Sequence, residues 1–223
     1  SASDYGVPQN RERLIILGIR KDICDKPQEL LREFYTTILP QYKVSRKMTV
    51  EDAIGNLPPI YPIVSEKTSP NRIGYTKPDC STSWHRARHH SLRDVEIYRM
   101  LADDIMSGRN EYADSQSLSD LYEERVGAKS PIHRYHVLRR DEPSTTIISH
   151  LDRDGNRFIH YDPKQSRDIT PREAARIQSF DDEYDFIGNQ TDTYIMIGNA
   201  VPPVLAKCVG LAVAEILDKL VGD

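Results

Sequence analysis

The chain of 223 residues is 38% hydrophobic and 29% charged, which is typical of a globular protein with one or two domains. No apolar run approaches the ~18 residues that a membrane helix needs, and no signal-peptide pattern opens the chain, so no membrane association and a cytoplasmic location are expected. Cys24, Cys80 and Cys208 are odd in number and far apart, which predicts reduced thiols in preference to a disulfide framework.

The net charge of −4 is unevenly distributed along the chain. Residues 94–124 hold nine acidic residues and two arginines, whereas residues 85–93 and 133–140 each hold three arginines and no acid. Affinity for nucleic acid comes from local cationic sites that displace counterions. The two basic strips therefore predict contact with phosphate groups, and an ordinary solvated basic face is the alternative.

In chain order, the first predicted element is a buried strand over residues 13–19, RLIILGI. Helical spacing of apolar residues predicts a helix over 27–39, with proline in its first turn. A short helix capped by Thr49 is expected within 49–59. The proline-rich stretch 58–84 has no clear period, which predicts irregular structure.

Residues 91–108 predict an amphipathic helix with Ser91 as its cap. The segment 144–161 predicts a hairpin, because Asp154-Gly155 lies between two β-rich runs. A helix over 168–180 has nearly every start signal: Thr170 as cap, Pro171 in the first turn and Glu173 closing a capping box. Residues 202–220 predict a long helix that is apolar on most of its circumference.

The spacing Gln9-x-Arg11-x-Arg13 places three polar side chains on one face of an extended segment. A glutamine and two cations can hold a phosphate and hydrogen-bond a carbonyl oxygen of a base. The alternative is a surface ion-pair cluster with Glu12 and its neighbours.

The segment IGNAVPPVLA at 197–206 offers a polar turn before the last helix. Gly198 allows close backbone approach, and Asn199 carries both a donor and an acceptor. Such a turn suits a ligand with carboxylate or ribose groups, and an ordinary capped loop is the alternative.

In this order, Gln9-x-Arg11-x-Arg13, RDITPREAARIQSF and GNAVPP resemble the eighth, ninth and tenth conserved motifs of the DNA (cytosine-5) methyltransferases. TVEDAIGNLPP, RARHHS and RYHVLRRDEPSTTIISHLDRDGNRFIHY are similar to segments of bacterial members. Two departures are modest: Asp181 stands where the family usually has proline, and Met196 where glutamine is frequent.

The resemblance implies roles for particular residues. Arg13 would reach O2 of the extruded target cytosine, and Arg11 would support the phosphate and the site. Gln9 is counted with these two arginines among the catalytic-site residues. The residues that the resemblance places beside the cofactor, S-adenosylmethionine, are Gly198, Asn199, Ala200 and Val201. Duplex DNA is the implied partner, and the residues expected to face it are Arg86, Arg88, Arg134, Arg139, Arg140 and Thr146.

Three motifs of that family are absent from this chain. The nucleophilic cysteine that attacks C6 of the cytosine lies in Pro-Cys-Gln, and none of the three cysteines has that context. Glu-Asn-Val and the glycine-rich Phe-x-Gly-x-Gly turn are missing as well, and in the family order all three precede the eighth motif. The sequence therefore predicts a C-terminal portion that is inactive alone and whose partner is a missing N-terminal catalytic half.

Cys80, His85 and His89 form a possible zinc pattern, C-x4-H-x3-H. No fourth ligand is apparent, and the proline and arginine neighbours suit DNA contact better, so no metal is expected.

The expected fold is α/β, a C-terminal fragment of a doubly wound methyltransferase sheet plus a mixed α+β target-recognition domain. Residues 1–22 would supply the last strands of the sheet, 23–166 the recognition domain, and 167–223 the last two motifs with the closing helix. The complete enzyme would methylate a cytosine flipped out of duplex DNA. The alternative is a non-catalytic DNA-recognition subunit of a naturally split methyltransferase. A stand-alone nucleic-acid-binding module is disfavoured, because GNAVPP and the apolar last helix presuppose a sheet to cover.

Overall fold

The computed structural model describes residues 1–69, 72–127 and 135–221. These residues form helices and one three-stranded antiparallel sheet in the order β1-β2-β3. The strands are β1 (Pro62–Ser69), β2 (Arg72–Tyr75) and β3 (His90–Ser91). The α-helices in chain order are α1 (Pro27–Glu33), α2 (Val50–Ile54), α3 (Leu92–Met106), α4 (Ser115–Val126), α5 (Pro171–Ile177), α6 (Gln190–Asn199) and α7 (Pro203–Val221).

Two predicted helix starts are confirmed in detail. The Thr49 hydroxyl accepts the Asp52 N–H and the Asp52 carboxylate accepts the Thr49 N–H, which closes a capping box on α2. Thr170 and Glu173 form the same reciprocal pair on α5, with Pro171 in the first turn. Because each box satisfies backbone donors that the helix leaves unpaired, even these short helices begin at defined residues.

The two other predicted helices of the first half are also present. α3 begins after the Ser91 cap and is amphipathic as predicted, and its buried residues include Val95, Tyr98, Leu101 and Ala102. The helix expected over 27–39 is divided, because α1 passes into a π-helical turn at Phe34–Ile38 and then into a 3-10 turn at Leu39–Tyr42.

The stretch 58–84 contains β1 and β2, two of the three strands of the sheet, so the prediction of irregular structure there is wrong. β1 pairs with β2 with Pro62 opposite Tyr75, and two irregularities interrupt their register. The prolines did not prevent pairing, because Pro62 is the first residue of β1 and Pro78 follows β2, where no ladder N–H is needed.

The hairpin predicted over 144–161 is also wrong. Its two arms form isolated bridges with distant parts of the chain, at Ser144 and Ile159. Gly155 begins a short 3-10 turn, and a Cβ there would collide with the Asp168 carboxylate. The glycine therefore serves close packing and not a two-residue strand connection.

Residues 13–19 form no strand with any part of the chain that the structure describes. Leu14 and Ile16 are 86% and 83% exposed, so the predicted burial is wrong for this face. The alternate residues Ile15 and Leu17 pack in the apolar cluster that includes α7. The segment thus has one covered apolar face and one open apolar face.

Three clusters of buried apolar side chains form the core. The first joins α2, α5 and α6 to residues 138–158, and the second joins residues 2–7 and 34–39 to α7. The third holds α3 and α4 together. Residues 9–11 run from the second cluster into the first, and this path positions the candidate site.

The stretch Gln190–Leu220 is long and apolar enough to cross a membrane by length and composition alone, which the sequence analysis did not anticipate. In the structure it is two helices, because α6 ends at Asn199 and α7 begins at Pro203. The α7 residues buried in the second cluster are Leu205, Ala212 and Ile216. The opposite face of α7 leaves Leu211 and Leu217 exposed.

Candidate active site

Gln9 enters the protein interior at the start of the Gln-x-Arg-x-Arg segment. It is fully buried and Arg11 is nearly so, whereas Arg13 is exposed. Gln9 Oε1 accepts the Ile147 N–H at 2.7 Å, and Gln9 Nε2 donates to Gln178 Oε1. The three side chains therefore do not project together as expected, because Gln9 is a core residue.

Gln178, directly after α5, joins three segments of the chain. Its side chain is fully buried and accepts a hydrogen bond from Gln9. Its Nε2 donates to the carbonyl oxygens of Ile197 at 2.8 Å and Ala200 at 3.0 Å. One amide thus links the end of α5, the Gln9 segment and the turn that follows α6.

The Arg11 guanidinium makes a second link between the same regions. Nη1 donates to the Ile147 carbonyl oxygen at 2.8 Å, and Nη2 donates to those of Gly198 at 3.0 Å and Ala200 at 3.3 Å. Burial, together with the nearby Arg13, lowers the pKa of Arg11, but a guanidinium stays charged at neutral pH. A permanent cation therefore holds carbonyl groups from both sides of the site.

The close approach predicted at Gly198 is confirmed. A Cβ at this position would collide with the backbone of Ile148 and Ser149. Gly198 and Asn199 are the last residues of α6, and Ala200 caps it. Glycine is needed here because two backbones meet without room for a side chain.

An open cleft of about 350 Å³ lies where these segments meet. Five residues that the sequence analysis singled out line it, and they are Arg11, Arg13, Thr146, Gly198 and Asn199. Residues 147–150 complete the lining. The structure therefore brings together residues from the Gln9-x-Arg11-x-Arg13 and GNAVPP segments and from the Thr146 segment.

The cleft is polar and cationic. The Arg13 Nη1 donates only to the Glu12 carbonyl oxygen, at 2.7 Å, among the residues that the structure describes. Thr146 Oγ1 donates to the Asn10 carbonyl oxygen at 2.8 Å, which fixes this side chain at the cleft. The exposed Arg13 guanidinium and the exposed Asn199 amide suit a ligand with phosphate and carbonyl groups, and the nearby Arg11 adds a second positive charge.

A buried ion pair supports the helix behind this cleft. Arg167 donates two hydrogen bonds of 2.7 Å to the Glu173 carboxylate. Burial opposes ionisation of Glu173, but Arg167 outweighs it and lowers the pKa of Glu173 to about 2. Burial and Arg167 also lower the pKa of the neighbouring His160 to about 4, so this imidazole is neutral. The capping carboxylate of α5 therefore remains charged.

Arg88, expected to face DNA, lies mostly inside the protein. It forms an ion pair with the fully buried Asp168 and donates to the Asp152 carbonyl oxygen. His90 contacts the other Asp168 oxygen at 2.9 Å. Burial opposes ionisation of Asp168, but Arg88 and His90 hold the pKa of this carboxyl well below its usual range. This geometry favours an internal role for Arg88 over a phosphate contact.

The remaining cations of the two basic strips lie outside the cleft. Arg86 is exposed and Arg139 is half-buried. Arg140 is exposed and forms an ion pair of 2.8 Å with Glu51. Arg134 lies outside the described residues. The assignment of these residues to a DNA-facing surface stays a prediction.

His85 has no free nitrogen for a metal ion. Its Nδ1 lies 3.1 Å from Thr170 Oγ1 and its Nε2 lies 2.8 Å from the Pro58 carbonyl oxygen. Within the described ranges no group of three His, Cys, Asp or Glu side chains is arranged to hold a metal. His85 is therefore a buried structural residue between α5 and the segment after α2.

Three residues of the site were not predicted from the sequence: Gln178, Ser149 and His150. Gln178 directly follows α5 and stands four residues after the buried Ala174, and this spacing was the available signal. Ser149 and His150 follow Thr146 closely, and their side chains lie 3.1 Å apart at the cleft.

The sequence profile of the C-5 cytosine-specific DNA methylase family matches residues 1–215. The chain is 29% identical to the type II methyltransferase M.Bpa9945I of Bacillus paralicheniformis, over 97% of this chain and 50% of that protein. It is 31% identical to M.XorII of Xanthomonas oryzae pv. oryzae, over 98% of this chain and 50% of that protein. It is 33% identical to M.PspPI of a Psychrobacter species, over 96% and 44% respectively.

The chain spans about half the length of the curated relatives it matches. The profile covers both the Gln9–Arg13 segment and the turn after α6, which are the two sides of the cleft. The chain belongs to the C-5 cytosine-specific DNA methylase family.

Proposed function

We propose that this chain is the C-terminal portion of a DNA (cytosine-5) methyltransferase and supplies DNA recognition and one wall of the active site. The observation that carries the proposal is the cleft in which Arg11 and Arg13 lie beside Thr146, Gly198 and Asn199. In the proposed division, residues 1–22 would join the sheet of the catalytic half, 23–166 would serve target recognition, and 167–223 would hold the last two motifs.

The reaction methylates C5 of a cytosine that has been flipped out of the duplex, after a cysteine thiolate adds to C6. Arg13 has an exposed guanidinium at the cleft and would donate a hydrogen bond to O2 of this base. Arg11, held by three carbonyl oxygens, would fix the shape of the site. Cys24, Cys80 and Cys208 are not among the residues that line the cleft, so the nucleophile would come from the catalytic half.

The turn after α6 fits one side of S-adenosylmethionine. Asn199 is exposed, and its amide has no hydrogen-bond partner among the described residues, so its donor and acceptor are available to a polar ligand. Gly198, Ala200 and Val201 would flank the same ligand. The cofactor supplies the methyl group when bound, and this chain would contact it from one side only. Weak or no binding by this chain alone is therefore proposed.

Two open apolar surfaces support a partner for this chain. Leu14 and Ile16 are exposed on the extended segment, and Leu211 and Leu217 are exposed on α7. Apolar surfaces of this kind favour burial against another protein surface. We assign them to the catalytic half, either in the same polypeptide or as a separate subunit. If the catalytic half is a separate subunit, this chain would be the non-catalytic DNA-recognition subunit of a split enzyme. In either case we propose that it acts on DNA in the cytoplasm.

The experiment is incubation of this chain with duplex DNA and S-adenosylmethionine labelled in its methyl group. The chain should bind the duplex in a mobility-shift assay and transfer no label. Label transfer by this chain alone would contradict the proposed division of the site, and absence of duplex binding would contradict the recognition role.

A further inference from the structure

A second, larger groove lies next to the candidate site. It measures about 670 Å³ and is open and polar. Its cationic lining residues include Arg72, Arg86, Arg88 and Arg153, and its acidic ones are Asp94 and Asp152. Of these two acids, Asp94 accepts hydrogen bonds from Arg93, which offsets its charge. The groove therefore has an excess of positive charge.

The floor of the groove is fixed by Arg88. This side chain is about one-fifth exposed, paired with Asp168, and bonded to the backbone of the loop at Asp152. The Arg88 guanidinium is thus occupied by contacts within the protein and has few N–H groups left for a ligand. Any binding by the groove has to come from the side chains on its rim.

Arg86 and Arg153 are the exposed arginines on this rim whose charge is not neutralised by the protein. Neither has a carboxylate within ion-pair distance in the described part of the chain. The Arg86 guanidinium lies 4.8 Å from the centre of the Trp84 ring. Trp84 is itself fixed, because its indole Nε1 donates to the Asp185 carboxylate and to a backbone carbonyl oxygen, each at 3.1 Å. Stacking on a fixed ring holds Arg86 in place while its N–H groups stay available.

One short loop connects the groove to the candidate site. Residues 148–150 line the cleft, and residues 152 and 153 line the groove. The loop is tight, since the Arg153 and Asp154 N–H groups both donate to the His150 carbonyl oxygen at 2.9 Å. Leu151, between the two cavities, is fully buried and anchors the loop. Residues 148–153 are six in number, and six extended residues span at most ~20 Å, so the cleft and the groove lie within that distance of each other. A duplex bound at the cleft therefore has its backbone within reach of the groove.

We propose that Arg86 and Arg153 bind the sugar–phosphate backbone of the duplex whose base enters the cleft. This inference rests on the proposed function and assigns a positioning role to the groove. Guanidinium groups without protein partners suit phosphate oxygens, which they contact with two parallel hydrogen bonds. Such contacts fix the register of a protein on DNA but carry no sequence information.

The test compares duplex binding by Arg86→Gln, Arg153→Gln and the double variant, measured by fluorescence anisotropy at several NaCl concentrations. Arg109→Gln is the matched control, because Arg109 is also an exposed arginine but is bonded to Asp103 at 3.0 Å and lies outside the groove. Two duplexes of unrelated sequence serve as probes. Thermal unfolding establishes that each variant keeps the wild-type fold.

Each groove substitution should weaken binding about tenfold at low salt, by the same factor for both duplexes. Each should also reduce the slope of log affinity against log salt by about 0.9, and the double variant by about 1.8. Arg109→Gln should leave both quantities unchanged. Provided that the wild-type chain binds both duplexes, two results would overturn the inference. One is a double variant with the affinity and salt slope of the wild type, and the other is a loss of affinity for only one of the two duplexes. Failure of the wild-type chain to bind either duplex would remove the proposed recognition role as well.

Discussion

Arg11 donates a hydrogen bond through Nη2 to the carbonyl oxygen of Gly198, 187 residues later in the chain, at 3.0 Å. Through Nη1 the same guanidinium donates to the carbonyl oxygen of Ile147. The Gln9 segment, the Thr146 segment and the end of α6 therefore share one buried cation. The shape of the candidate cleft depends on this side chain.

Replacing Arg11 by Met should destabilise the chain. The substitution keeps much of the apolar stem but leaves the buried carbonyl oxygens of Ile147 and Gly198 without these donors, at a cost of about 2–4 kcal/mol. Urea unfolding measures the loss. Arg13→Met is the control, and because Arg13 is exposed its effect should stay within about 0.5 kcal/mol. Equal effects of the two substitutions would contradict a clamping role for Arg11.

Gly198→Ala should lower stability by about 1–3 kcal/mol, because the added methyl group meets the backbone of Ile148 and Ser149. Gly210→Ala provides the matched comparison. Gly210 lies within α7, and a Cβ there meets no atom within 4 Å. Since alanine is the better helix former, Gly210→Ala should raise stability by up to ~1 kcal/mol. Thermal unfolding of both variants measures these changes. Wild-type stability in Gly198→Ala would contradict the close approach of the two backbones.

Gln178→Leu should loosen both sides of the cleft at once. It removes the acceptor for Gln9 and the donor to the carbonyl oxygens of Ile197 and Ala200. Amide hydrogen exchange should accelerate in residues 145–149 and 197–201 more than elsewhere. Gln116→Leu, at an exposed position in α4, should leave exchange in these segments unchanged. Uniform acceleration along the chain would indicate general destabilisation instead.

Stability should fall as the pH is lowered from 7 to 4. The pKa of Glu173 is lowered to about 2 by Arg167 against the opposing effect of burial, so its contribution is present above the ordinary pKa near 4.5 and is lost on acidification. Burial lowers the pKa of His160 from its usual 6.5 to about 4. Between these two pH values the unfolded chain binds a proton that the folded chain does not, so the free energy of unfolding decreases as the pH falls. Both pKa shifts therefore lower the free energy of unfolding on acidification.

Urea unfolding at pH 7, 5.5 and 4.5 measures this dependence. His160→Gln should flatten the change between pH 6.5 and 4.5, because it removes the group that protonates only in the unfolded chain over that interval. A free energy of unfolding that stays constant from pH 7 to 4.5 would contradict the buried neutral state of His160.

Local patterns were sufficient where the determinants are close in sequence. The boxes begun by Thr49 and Thr170 involve residues three positions apart, so the starts of α2 and α5 could be predicted. Gly198 could be predicted as a close-approach position because glycine alone has no side chain, but the backbone that it meets, at Ile148 and Ser149, is distant in sequence and could not be predicted.

The remainder depends on contacts that no local pattern contains. Gln9 and Gln178 are 169 residues apart, so their pairing in the core could not be inferred from either segment alone. Leu14 and Ile16 belong to an apolar run typical of a strand covered on both faces, yet only one face is covered here. Asp154-Gly155 resembles a hairpin turn, but the glycine instead accommodates the Asp168 carboxylate.

The most direct test of the central claim is a complementation assay. This chain is mixed with a polypeptide that carries the motifs absent from it, Pro-Cys-Gln, Glu-Asn-Val and Phe-x-Gly-x-Gly, and methyl transfer from labelled S-adenosylmethionine to duplex DNA is measured. Transfer should require both components, and Arg13→Ala should slow it by about 100-fold without changing the thermal unfolding of the chain. Transfer by this chain alone, or a complemented rate that does not depend on Arg13, would contradict the account.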